Sequence, residues 1–178
     1  MLDKDWQGAV HDDLLWPANW SRLRRGGLNG RARIAGWLES EVYGQARMGD
    51  LSGPPVVLNA VELSTSVPFA FAAPWFDALC SDLDDVLLAD AVAASAAYPF
   101  AVRPVVLETF NRDCPAPLPD WVGRMAEARD QAMTVRDAAR AFQTFRDSER
   151  LRYIHLLDGG VVDNFGLSGL PVIQAASS

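Results

Sequence analysis

Apolar residues recur at three- and four-residue spacing early in the chain. Ile34, Trp37, Leu38, Glu41 and Val42 follow this rhythm and predict a helix from about Ala32 to Gln45. The Gly26-Gly27-Leu28-Asn29-Gly30 segment before it has loop chemistry. Beyond Pro54-Pro55 the pattern changes. Val56-Val57-Leu58-Asn59-Ala60-Val61 is a nearly continuous, valine-rich apolar run, which suits a buried strand. Glu62 to Ser66 reads as a turn, and Val67 to Ala72 as a second strand forming a hairpin with the first. Pro68 sits at its start, where a missing N–H is tolerated.

Further along, Ser81 and Asp84 have the spacing of a capping box and predict a helix from about Asp84 to Ala97. Tyr98-Pro99 ends it, because proline disfavours helical geometry in the residue before it. Arg103 to Leu107 is a short apolar run with strand character, and Cys114 to Asp120 a proline-rich loop. Trp121 to Phe145 is helical, with Thr134 and Asp137 as another capping box. Val135, Ala138, Ala139, Phe142 and Phe145 form its core stripe. Arg152 to Leu157 reads as a strand that runs into Asp158-Gly159-Gly160, followed by a polar, small-residue tail. Strands alternating with helices indicate an α/β domain.

Composition sets outer limits. A chain of 178 residues with 49% hydrophobic and 22% charged residues is neither disordered nor low-complexity. The net charge of −7 argues against a general nucleic-acid binder. Most of it lies between Glu39 and Asp90, where nine acids face a single base, Arg47; such a run reads as a solvated face. Cys80 and Cys114 are too few for a disulfide framework and leave one bridge open. The opening residues are acidic and lack the apolar core of a signal peptide. The longest apolar candidate, Val86 to Val102, is interrupted by Asp90 and Pro99 and is too short to span a bilayer. A soluble or peripheral membrane protein is expected. Trp75-Phe76 would suit a membrane interface if exposed, although core packing is favoured.

Asp158 is the candidate catalytic residue. It ends a strand, at the edge where parallel α/β sheets bind ligands. Gly159 and Gly160 permit a tight turn and close backbone approach. Asp-Gly alone is a common turn signal. His155 precedes Asp158 by three positions on the same strand, an odd spacing that places the two on opposite faces. His155 therefore reads as structural, and His11 has no recognisable context.

Asp158-Gly159-Gly160-Val161-Val162-Asp163-Asn164 resembles the Asp-Gly-Gly/Ala block of patatin-like phospholipases. Asp90-Ala91-Val92-Ala93-Ala94-Ser95-Ala96-Ala97-Tyr98-Pro99 resembles that family's Ala-Ser-x-Ala-x-Pro block at a helix end, with Pro104-Val105 following. The hairpin from Val56 looks like the family's preceding strand pair. The likeness spans roughly residues 50 to 170, and the first fifty, a helical region, resemble the family only loosely.

The resemblance implies a three-layer α/β/α domain, its central sheet flanked by helices on both faces. It also implies a serine acyl hydrolase acting on phospholipid or other lipid esters, with peripheral membrane contact compatible. Asp158 would be the aspartate of a Ser–Asp dyad, orienting and deprotonating the serine and later activating water. No cofactor or metal is implied. The runner-up is a non-catalytic module on the patatin scaffold that binds lipid or protein.

The family's nucleophile sits in a Gly-x-Ser-x-Gly elbow that precedes these blocks, and this chain has none. Gly166-Leu167-Ser168-Gly169 lacks the second elbow glycine and follows Asp158. Ser95, within Ala93-Ala94-Ser95-Ala96-Ala97, is the alternative nucleophile, but it lacks the strand-turn-helix setting an elbow needs. The expectation is an incomplete acyl hydrolase domain that carries the aspartate without its serine and is inactive by itself. Its exposed strand edge and apolar face would make it poorly soluble.

Overall fold

The computed structural model describes residues 30–97, 104–110, 114, 116–147 and 151–177. His11, Trp6, Trp16, Trp20 and the glycine-rich loop before Gly30 lie outside them, as does Tyr98-Pro99. Helix α1 spans Gly30–Leu38 and continues as a wider, π-type turn over Glu39–Tyr43, close to the expected helix.

Four strands follow among the described residues: β1 (Asn59–Glu62), β2 (Val67–Ala70), β3 (Val105–Glu108) and β4 (Tyr153–Asp158). They form one mixed-order sheet, β2-β1-β4-β3, in which every pairing is antiparallel. The expected hairpin is present, with Glu62 opposite Val67. Its first strand starts at Asn59 rather than Val56, although Leu58 still accepts a hydrogen bond from Phe71 N–H. Pro68 lies inside β2, which is an edge strand, so its missing donor costs no ladder bond on the outer side. The antiparallel sheet has no common carboxyl edge. The ligand-edge rule of parallel sheets therefore does not apply to Asp158.

The hairpin turn is organised by a buried carboxylate. Glu62 is 1% exposed, against the expectation of a uniformly solvated acidic run. It accepts hydrogen bonds from the N–H and hydroxyl groups of both Ser64 and Thr65, at 2.7–2.9 Å. Ser66 completes the turn with φ 57°. Burial pushes the Glu62 carboxyl up, but these hydrogen bonds outweigh it and hold it below the ordinary 4.5. A depressed folded value means that the charged form stabilises the fold above the unfolded value. This contribution is lost as pH falls through the lower folded value. Glu62→Gln should cost about 1–3 kcal/mol near neutral pH. The gap between the urea midpoints of the variant and the unaltered protein should narrow as pH falls below the ordinary carboxylate range, because the folded value lies under the unfolded one. A gap independent of pH would assign the loss to packing alone.

Five more helices complete the described fold: α2 (Ala73–Leu79), α3 (Leu88–Ser95), α4 (Asp120–Glu127), α5 (Met133–Phe145) and α6 (Leu170–Ala176). Helix α2 was not anticipated; Pro74 lies in its first turn, where the lost N–H is unneeded. The Ser81/Asp84 capping box does not form. Asp82 Oδ1 instead accepts the Asp84 N–H at 2.9 Å, a local turn that delays the helix start to Leu88. The expected helix over Trp121 to Phe145 is two, because the polar stretch Ala128–Ala132 leaves helical geometry between α4 and α5. Thr134 lies inside α5 and caps nothing. The small-residue tail forms α6.

The α5 stripe is core as expected: Val135, Ala138, Ala139, Phe142 and Phe145 are all buried. Trp75 and Phe76 are buried too, so they are not available to a membrane interface. Phe142 meets Trp75 and Trp121 edge to face, at 5.5 and 6.0 Å between centroids. α5 packs against α2 and β2, while the alanine-rich α3 packs against β1 and β4. Among the described residues no helix is long and apolar enough to cross a membrane.

Candidate active site

Asp158 is the last residue of β4, opposite Ala60 of β1. The alternation along β4 buries Ile154 and Leu156 and leaves Tyr153 and His155 exposed. By parity Asp158 belongs to the Ile154–Leu156 face, away from His155, as the odd spacing predicts.

Three contacts fix the turn at Asp158. Its N–H donates to Ala97 O just past the end of α3, at 3.0 Å. Its Oδ1 accepts the Gly160 N–H at 2.8 Å, capping the tight turn Gly159–Val161. Behind it, Gly159 presses on β1: a Cβ there would fall 2.6 Å from Asn59 O and 3.1 Å from Ala60 N. Both are backbone atoms of a paired strand and cannot step aside. This is the close backbone approach that a glycine permits. Oδ2 has no hydrogen-bond partner among the described residues, and the side chain is half-buried.

The loop after the turn is tied back to the same place. Asp163 Oδ2 accepts the Ser168 N–H at 2.7 Å. Desolvation raises the Asp163 carboxyl, but hydrogen bonds from Ser168, Leu167 and Gly166 prevail and lower it. Asn59 Nδ2 donates to Gly166 O at 3.3 Å, and Gly166 has φ 67°. Asn59 thus braces the loop from β1. Its signal in the sequence was a polar residue inside the apolar run from Val56 to Val61.

The loop carries an exposed apolar surface. Val161, Val162, Phe165 and Leu167, together with Leu170 at the start of α6, are all at least half exposed, Phe165 most at 85%. Ser95 ends α3 in ordinary helical geometry, two residues before Ala97. No hydrogen bond joins it to Asp158 among the described residues, and no strand leads into it. Ser168 sits in the loop as a partner of Asp163. Among the described residues no three His, Cys, Asp or Glu side chains gather into a metal-binding group.

Comparison with protein-family models, with curated proteins and with solved structures found no match to this chain.

Proposed function

We propose that this chain is the aspartate-bearing part of a patatin-like lipid acyl hydrolase, within a three-layer α/β/α domain. The observation that carries this reading is the hydrogen bond from Asp158 N–H to Ala97 O. It joins the two blocks on which the resemblance rests, which are far apart in the chain. Gly159 and Gly160 make the junction possible, one by accepting close contact with β1 and the other by donating to the carboxylate.

In this reading Asp158 Oδ1 is held by Gly160 while Oδ2 takes the proton of a serine hydroxyl. The serine oxygen attacks the ester carbonyl, the alcohol leaves with that proton, and an acyl-serine remains. Asp158 then takes a proton from water, whose oxygen attacks the acyl carbon; the proton passes to the departing serine oxygen, the fatty acid is released, and the free serine and the carboxylate are restored. A carboxylate is a weak base for a hydroxyl, so the reaction also needs oxyanion donors and exclusion of water. The serine and those donors belong to a segment upstream of the blocks. The exposed apolar residues Val161, Val162, Phe165 and Leu167, in the loop that follows Asp158, would meet that segment and an acyl chain. The substrate is a phospholipid or another lipid ester, met at a membrane surface.

The test compares two polypeptides on a p-nitrophenyl acyl ester. The 178-residue chain should give no turnover, and the polypeptide extended upstream through a Gly-x-Ser-x-Gly segment should hydrolyse the ester. An encoding sequence without such a segment upstream would sink the enzyme reading. Turnover by the shorter chain, lost on Ser95→Ala, would make Ser95 the nucleophile.

A further inference from the structure

Cys80 closes α2 in the left-handed conformation, φ 56°, and is joined by a disulfide to Cys114, 34 residues on. The sequence left such a bridge open. Three further contacts gather at the same place. Phe110 N–H, just past β3, donates to Leu79 O at 2.9 Å. Arg146, at the end of α5, donates from Nε to Ala78 O at 2.9 Å and from Nη2 to Asp77 O at 2.8 Å. Its Nη1 reaches Ala116 O at 2.6 Å. One guanidinium therefore satisfies the last carbonyls of α2 and holds the strap that leaves β3. Among its described residues, the strap between β3 and α4 is fastened at Cys114 by the disulfide and at Ala116 by one charge-assisted hydrogen bond.

We propose that Cys80–Cys114 is a redox-sensitive fastener of this strap, and that the protein works in oxidising surroundings. Disulfides persist where thiols are not kept reduced. Both cysteines are only half-buried, so a dithiol can reach the bridge. In the exchange a thiolate of the dithiol attacks one sulfur and releases the other, and its second thiol completes the reaction. The bridge gains two electrons and two protons, and the reductant becomes a cyclic disulfide. Arg146 does not respond to redox and remains in place. Reduction therefore frees Cys114 from the end of α2, while Arg146 still holds Ala116 and keeps α2 and α5 joined.

The experiment uses the full polypeptide, purified from an oxidising compartment without reductant. A thiol-alkylating reagent should leave Cys80 and Cys114 unlabelled until a dithiol is added, and then label both. Loop-closure entropy for a separation of 34 residues lowers the folded-to-unfolded ratio by a factor on the order of several hundred. For a chain of this size that is a melting midpoint roughly 10 °C lower. Limited proteolysis of the reduced protein should cut first between Phe110 and Pro119. A Cys80→Ser, Cys114→Ser double variant should match the reduced protein and ignore the dithiol. If that variant does not fold, reduction of the unaltered protein decides alone. Labelling without a dithiol, an unchanged midpoint, or cleavage spread over the whole chain would each overturn the proposal.

Discussion

If the proposed acyl-hydrolase reading holds, Asp158→Asn in a polypeptide extended to include the serine is expected to lower ester hydrolysis by about 10²–10⁴-fold, the usual contribution of a positioned general base. Asparagine has the same shape and its Oδ1 still accepts the Gly160 N–H, so the turn at Gly159–Val161 should keep its cap. The contact between Asp158 N–H and Ala97 O is made by the backbone and is untouched. The melting midpoint should therefore stay where it is while kcat falls. An amide cannot take up the serine proton, and nothing else in the turn replaces it. Full activity in this variant would move the general base elsewhere. A loss of activity accompanied by a large fall in the midpoint would mark Asp158 as structural.

Trp75→Ala is expected to cost about 3–5 kcal/mol, as for other large aromatic residues removed from a core. Trp75 is 1% exposed, and its indole N–H donates to Pro68 O at 3.3 Å. Its ring meets Phe69 and Phe142 edge to face, joining α2 to β2 and to α5. The truncation would leave a cavity at that junction and an unpaired carbonyl on Pro68. Thermal melting should fall by roughly 10 °C. Trp75→Phe should recover part of the loss, because it restores ring packing without the indole donor. A midpoint within about 2 °C of the unaltered protein would contradict this central packing role.

The hydrophobic pattern made the local elements legible. The α5 stripe was readable because helical periodicity repeats within a few residues and needs no distant partner. The same holds for the alternation on β4, which separates His155 from Asp158 before any partner strand is known. Element boundaries were less legible. Asp82, not Ser81, took the local hydrogen bond before α3, and the sequence signal for the two alternatives is similar. Helix α2 was hidden because its apolar residues are nearly continuous and show no face.

The candidate site was legible as a motif and not as an arrangement. Asp158-Gly159-Gly160 stood out in the sequence, whereas Asn59 and Asp163 gained their bracing roles only where β1 and the loop after β4 meet. Glu62 belonged to a run of acids that reads as solvated. Only the turn formed by Ser64 and Thr65 supplies the donors that make its burial affordable.

By itself the sequence determined the helical and strand periodicities, the acidic imbalance, and the position of Asp158 at the end of a strand with two glycines after it. These follow from residue types and spacings within one segment. The tertiary structure alone decided the antiparallel order β2-β1-β4-β3 and the contact of Asp158 with the end of α3. It also decided the pairing of Cys80 with Cys114 and the grip of Arg146 on two segments. Each of these depends on which distant segments meet, and that is settled by the burial of all their apolar faces together rather than by any one segment's pattern.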